Sequence, residues 1–145
     1  MLFLLDTDTL IFMIRGLKAA TITARRRQGL AILAHCRGAD EAGDSVGLSS
    51  ITVSELDFGA RHSSNYEAQM AAVQQIIFPF TLYAYDALTC PPHYGRIRHD
   101  LETQGIPIGA MDLLIAAHAM ALGATLITNN HAHFSRLAGL AIATW

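Results

Sequence analysis

Carboxylates in this chain stand where apolar runs begin or end. Asp6 and Asp8 follow Met1-Leu2-Phe3-Leu4-Leu5, Glu55 closes Thr52-Val53-Ser54-Glu55, and Asp112 precedes Leu113-Leu114-Ile115-Ala116-Ala117. Asn129-Asn130 ends a further run, Thr125-Leu126-Ile127-Thr128. A buried strand that stops at a carboxylate places it at the carboxyl edge of a parallel sheet, where open α/β folds bind ligands. Carboxylates clustered at such an edge repel one another unless a cation neutralises them, and hard oxygen donors suit Mg²⁺ or Mn²⁺. That arrangement supports attack by water on a phosphate.

Each of these residues also has a plainer local role. Asp6 can cap the helix that follows it. Thr52 and Glu55 have capping-box spacing. Asp112 in the first turn of its helix complements the helix dipole, and Asn129-Asn130 can be a simple turn. Asp112 carries the extra signal. The uniformly apolar residues after it imply a buried helix, at whose start an unpaired charge is costly.

The elements that must position these groups follow from periodicity and breakers. Residues 1–5 read as a strand and 7–15 as a short helix stopped by Gly16. Residues 20–37 form a second helix, with Ile22, Leu30, Ile32 and Leu33 on one side and Arg25, Arg26 and Arg27 on another. Residues 38–44 read as a polar loop and 45–49 as a strand. Helices are expected from Thr52 to about His62 and over 65–77. After Pro79 come a strand at 81–85 and a helix over 87–104, with Pro91-Pro92 in its first turn or kinking it. Gly109 precedes a helix over 110–122 that Gly123 ends. A strand at 125–128, a helical turn at 132–137 and a strand at 140–143 complete the chain. Strands alternating with helices define an α/β fold with a mostly parallel sheet. No repeat, low-complexity stretch or linker divides residues 1–145, so one domain is expected.

The bulk numbers narrow the function classes. The chain has 145 residues, 52% of them hydrophobic and 15% charged, with a formal net charge of −2. That balance excludes a disordered chain and a generally basic nucleic-acid binder. Any nucleic-acid contact must be local or mediated by metal. The low charge also suggests a surface covered by a partner chain. Cys36 and Cys90 form no CxxC motif, which leaves no zinc site or disulfide framework. The first apolar run is too short for a signal peptide and lacks a basic leader, and no stretch reaches the length of a membrane span. A cytoplasmic protein is expected.

Taken together, these segments resemble the PIN-domain ribonucleases, specifically the VapC toxins of type II toxin–antitoxin pairs. The resemblance lies in Leu5-Asp6-Thr7-Asp8, in 49–56 with Gly59, in 106–119 around Asp112, in 126–130 with Phe134, and in the closing stretch 139–145. It spans essentially the whole chain and is most specific around Asp112. It implies a three-layer α/β/α sandwich whose acidic pocket binds Mg²⁺ or Mn²⁺ and cuts single-stranded or loop RNA of the tRNA or rRNA class. Carried over, Asp6, Glu55 and Asp112 form the acidic core. Asp6 and Asp112 are the expected direct ligands, and Glu55 binds the metal through water or positions the attacking water. Asn130 falls where many relatives have a fourth acidic residue. His133 precedes Phe134 where an acid is often found, so that fourth carboxylate is missing. Asp8 stands where Asn is usual and restores a charge. The resemblance further implies a homodimer and a cognate VapB-type antitoxin that covers the pocket, with residues 7–37 as the expected cover site. An RNA path is expected along Arg25, Arg26, Arg27, Arg61, Arg96, Arg98 and His99.

Two other readings use the same residues. Asp6-Thr7-Asp8-Thr9-Leu10 also matches the first motif of haloacid-dehalogenase-like phosphatases, in which the first Asp is a nucleophile. That family needs a later Lys and a late acidic pair. The sole Lys here is Lys18, and the late stretch is Thr128-Asn129-Asn130. The second is a PIN fold whose incomplete pocket only binds RNA or a partner.

Overall fold

A computed structural model describes residues 1–19 and 23–145. Ile22, expected on the apolar side of the second helix, lies outside the described residues. In chain order the elements are β1 (Leu2–Leu5), α1 (Thr7–Lys18), α2 (Ala24–Glu41), β2 (Ser45–Ser49), α3 (Ser50–Arg61) and α4 (Tyr66–Ile77). They continue with β3 (Thr81–Tyr83), α5 (Cys90–Thr103), α6 (Ala110–Leu122), β4 (Thr125–Ile127), α7 (His131–Phe134) and β5 (Ile142–Ala143).

The five strands form one sheet in the order β3-β2-β1-β4-β5. Every pairing is parallel. Side chains alternate across the pleat, so neighbouring residues of a central strand feed opposite faces. Leu4 and Leu126 pack with Ile97, Leu101, Leu113, Ile115 and Phe134 from α5, α6 and α7. Leu5 and Ile127 pack with Leu10, Met13, Ile32, Leu56, Val73 and Ile77 from α1, α2, α3 and α4. Helices on both faces explain why these strands are apolar throughout rather than alternating. The expected α/β/α sandwich is therefore the one observed, with the sheet fully parallel.

Several helix boundaries differ from expectation, three of them for reasons visible in the packing and caps. Gly16 does not stop α1 but lies buried inside it. A methyl group there would come within 2.5 Å of the Arg25 carbonyl oxygen and 2.8 Å of Gly29 Cα. Gly16 and Gly29 thus let α1 and α2 cross backbone to backbone. The polar stretch after residue 37 is largely helical, because α2 continues to Glu41; its polar residues are simply the solvent side of the helix. The third helix begins at Ser50, with Ser49 as its N-cap. Ser49 Oγ accepts from the Ile51 N–H at 3.0 Å, so Thr52 and Glu55 do not form a capping box. β3 and β5 are also shorter than expected. Pro91 and Pro92 sit in the first turn of α5 without breaking it. Among the described residues, no helix is long and apolar enough to cross a membrane.

Candidate active site

The strand order reverses beside β1: the chain runs outward through β2 and β3, then returns to place β4 on the other side of β1. At such a switch point the adjoining carboxyl ends leave a crevice. Asp6 sits there, one residue past β1, and its N–H donates to the Ile127 carbonyl at 3.0 Å.

Asp6 is only 4% exposed, and it does cap α1. One carboxylate oxygen accepts from the Thr9 N–H at 2.7 Å. The other accepts from the Thr128 hydroxyl. Cap and pocket are therefore the same residue, since the helix begins where the strand ends. Burial pushes the Asp6 carboxyl above its ordinary value, against the pull of those hydrogen bonds, and the Asp8 charge pushes the same way. Asp8 itself is exposed at the rim.

Glu55 projects from the second turn of α3 and accepts from the Thr7 hydroxyl, which also lies 3.1 Å from Thr52 Oγ1. Its carboxyl is raised first by partial burial and then by the charges of Asp112, Asp8 and Asp6. The charges of Asp112, Asp8 and Asp6 thus bear on Glu55, and that of Asp8 bears on Asp6.

Asp112 stands in the first turn of α6, whose following residues are buried. It meets His133 Nδ1 at 3.0 Å, and Asn130 Nδ2 lies 2.9 Å from the same nitrogen. One nitrogen cannot donate to Asp112 and accept from Asn130 at once. Donation to Asp112 puts the proton on Nδ1 and turns the Asn130 amide oxygen toward the ring. Asn130 is further held by its N–H donating to Thr128 Oγ1 at 2.9 Å. His133 therefore occupies the position expected to lack an acid, and bonds to Asp112 from there.

The donor set is mostly oxygen. Among the described residues, no group of three or more His, Cys, Asp or Glu side chains is placed closely enough to enclose a metal ion. The edge is open, and a cation there would keep part of its water shell, as Mg²⁺ commonly does.

The basic residues separate into two kinds. Arg26 donates to the Ala19 carbonyl at 2.5 Å, tying α2 to the end of α1. Arg96 pairs with Asp100, Arg98 with Glu102 and Tyr94, and Arg61 with Asp57. Arg25 and Arg27 are exposed and, among the described residues, form no ion pair. Thr7 and Thr128, which orient Glu55 and Asp6, were not singled out from sequence. Both lie beside strand ends, but their partners are set by strand order, which local pattern does not reveal.

The chain matches the PIN domain family over residues 3–140. It belongs to that family, and within it to the VapC ribonucleases. It is 34% identical over 143 residues to the tRNA(fMet)-specific endonuclease VapC of Shigella flexneri, covering 99% of this chain and 97% of that one. The VapBC-1 structure from nontypeable Haemophilus influenzae superposes with a TM-score of 0.84 at 32% identity, covering 100% of this chain and 98% of that one. DNA-bound VapBC from Salmonella typhimurium gives a TM-score of 0.83 at 34% identity, with 100% and 99% coverage. Membership of this family takes the place of the phosphatase reading of Asp6-Thr7-Asp8-Thr9.

Proposed function

We propose that this chain is the toxin of a VapBC-type pair and cuts single-stranded or loop RNA by hydrolysis at the crevice beside β1, using a divalent cation, Mg²⁺ or Mn²⁺. The observation that carries this reading is the gathering of carboxylates at the sheet's switch point: Asp6 lies buried just past β1, Glu55 accepts from the hydroxyl of the adjoining Thr7, and the charges of Asp112, Asp8 and Asp6 bear on Glu55. Repulsion among such charges is relieved by a cation. When bound, such a cation makes water a better nucleophile and offsets charge on the scissile phosphate. Asp6 and Asp112 are the direct ligands in this reading. Thr9 and Thr128 keep the Asp6 carboxylate aimed, and His133 does the same for Asp112. Glu55, oriented by Thr7, accepts the proton of the attacking water or holds that water in line. Asn130 and Asp8 support the rim.

A tRNA is the favoured substrate, because the Shigella flexneri relative is named for tRNA(fMet). Arg25 and Arg27, exposed and without an ion pair among the described residues, are the cations we assign to RNA phosphates, whereas Arg26, Arg96 and Arg98 serve the fold first. The VapBC structures support an antitoxin partner. A groove of about 340 Å³ lined by Ile11, Ile14, Leu56, Val73 and Ile76, together with Arg15, Lys18 and Glu55, suits an apolar antitoxin arm. We place the working protein in the cytoplasm, as a homodimer.

The test is a digest of total RNA by purified, antitoxin-free protein with Mg²⁺, Mn²⁺ or chelator, with the new 5′ ends mapped. Cation-dependent cleavage at one loop of one tRNA is expected. Cleavage that persists in chelator would remove the cation from the mechanism, and ends confined to rRNA would replace the substrate.

A further inference from the structure

We infer that His118 is a positioning residue for the reaction: by accepting a hydrogen bond from Ser49 it fixes the start of α3 against α6, and so sets Glu55 against Asp112. This rests on the acidic-crevice reading above. Ser49 ends β2 and caps α3, and its Oγ lies 2.8 Å from His118 Nδ1. Ser49 is 0% and His118 1% exposed. Beside them, the Ser50 hydroxyl accepts from the Tyr85 N–H at 3.0 Å. The Tyr85 ring meets His118 edge-on, with 5.6 Å between centroids. The corner where β2 turns into α3 is thus tied both to α6 and to the segment after β3.

The protons can be assigned. Ser49 Oγ accepts from the Ile51 N–H, and its own proton can be donated to Nδ1 when Nε2 carries the ring proton. Nε2 of His118 is buried without a well-formed hydrogen-bond partner, and the Ala84 backbone, whose effect on the ring favours protonation, is the acceptor we assign to it. A proton on Nε2 suits that acceptor, whereas a lone pair there would face the carbonyl's lone pairs. We assign His118 as the Nε2–H tautomer, accepting at Nδ1. Burial holds its pKa below the ordinary 6.5, which keeps the ring neutral at pH 7.

The geometry then reaches the acids through two rigid rods. His118 and Asp112 share α6, and Ser49 caps the helix that carries Glu55. Around His118, residues Ile115, Ala116, Ala117 and Ala119 are buried and apolar. Apolar packing there fixes distance but not rotation. A hydrogen bond adds direction, and supporting polar groups of this kind hold functional side chains in place.

Three measurements test this: the His118 tautomer by long-range ¹H–¹⁵N NMR, Mn²⁺ affinity by titration, and the kinetics of RNA cleavage. The variants are His118→Asn, His118→Leu and Ser49→Ala, with Asp112→Asn as the reference for a lost site. The ring should read as Nε2–H. His118→Asn, whose amide oxygen can take the Nδ1 position, should bind Mn²⁺ within about threefold of wild type, whereas His118→Leu should lose about tenfold or more. The same loss should appear as a lower kcat with KM for RNA unchanged. Ser49→Ala removes the bond from the other side and carries the test if His118→Leu does not fold. An Nδ1–H tautomer overturns the inference. So does wild-type Mn²⁺ affinity in a folded His118→Leu or Ser49→Ala protein whose Asp112→Asn counterpart has lost binding. A wild-type protein that binds no Mn²⁺ overturns the acidic-crevice reading itself.

Discussion

Asp6 does two jobs with one carboxylate. It ends α1's unpaired N–H groups by accepting from Thr9, and it places a buried negative charge beside Asp8 and Glu55. Asp6→Asn keeps the shape and the acceptor oxygen but removes the charge. Metal-free Asp6→Asn protein is expected to be more stable than wild type at pH 7, by about 1 kcal/mol or roughly 3–4 °C in Tm. The sign follows from the raised carboxyl. Its contribution to stability is complete below the ordinary value of 3.8 and is lost as pH rises through the higher folded value. The advantage of the variant should therefore shrink toward zero near pH 3.8 and grow toward neutrality, and added Mn²⁺ should erase it by stabilising wild type alone. Urea unfolding at a series of pH values measures this; an advantage that is largest in acid would contradict it. Glu55 is a second case. Because Ser49 and not Thr52 caps α3, Glu55→Gln removes no cap. It should leave Tm equal to or above wild type while slowing cleavage by about 100-fold or more. A lowered Tm with near-native rate would mark Glu55 as structural.

At the scale of elements, α1 is the lever that carries Asp6, and its close crossing with α2 holds it. Gly16→Ala would push a methyl group into the Arg25 carbonyl and Gly29. A loss of about 1–3 kcal/mol is expected from overpacking against backbone that cannot yield, and a shift in urea midpoint would read it. Unchanged stability would show that the crossing has slack. α2 separates its arginines in the same way. Arg26→Ala should lower stability through the Ala19 carbonyl, while Arg25→Ala with Arg27→Ala should raise KM for RNA and leave kcat and Tm alone. Equal effects from both would merge the two roles. These elements also show what the sequence could and could not disclose. Periodicity located each long helix, and Gly123, at φ 62, was legible as a stop because a left-handed cap favours glycine. Gly16 looked the same on paper, since a glycine that ends a helix and one that admits a neighbour differ only in what packs against them. The start of α3 was misplaced because Ser49, Ser50 and Thr52 are all able to cap, and only the strand before them decides among the three.

For the whole molecule, the site is a property of topology. Asp6, Glu55 and Asp112 are far apart in sequence, and the return of β4 to the far side of β1 is what makes one crevice of their helices. Residue types and spacing marked Asp6, Glu55 and Asp112 as candidates. They did not disclose Thr128 or the Ser49–His118 bond, because both depend on which strands become neighbours. The net charge of −2 accords with the proposed contact to RNA through a cation-neutralised acidic edge and a short basic stretch, rather than through a broadly basic surface. The most direct measurement is cleavage of purified tRNA by antitoxin-free wild-type, Asp6→Asn and Asp112→Asn proteins, in Mn²⁺ and in chelator, with folding of each checked by circular dichroism. Wild type should cut in Mn²⁺ only, and both folded variants should cut at least about 1,000-fold more slowly. An Asp112→Asn protein that cuts at the wild-type rate, or a folded wild type that cuts no RNA with either Mg²⁺ or Mn²⁺, would contradict the assignment of the acidic crevice as the catalytic site.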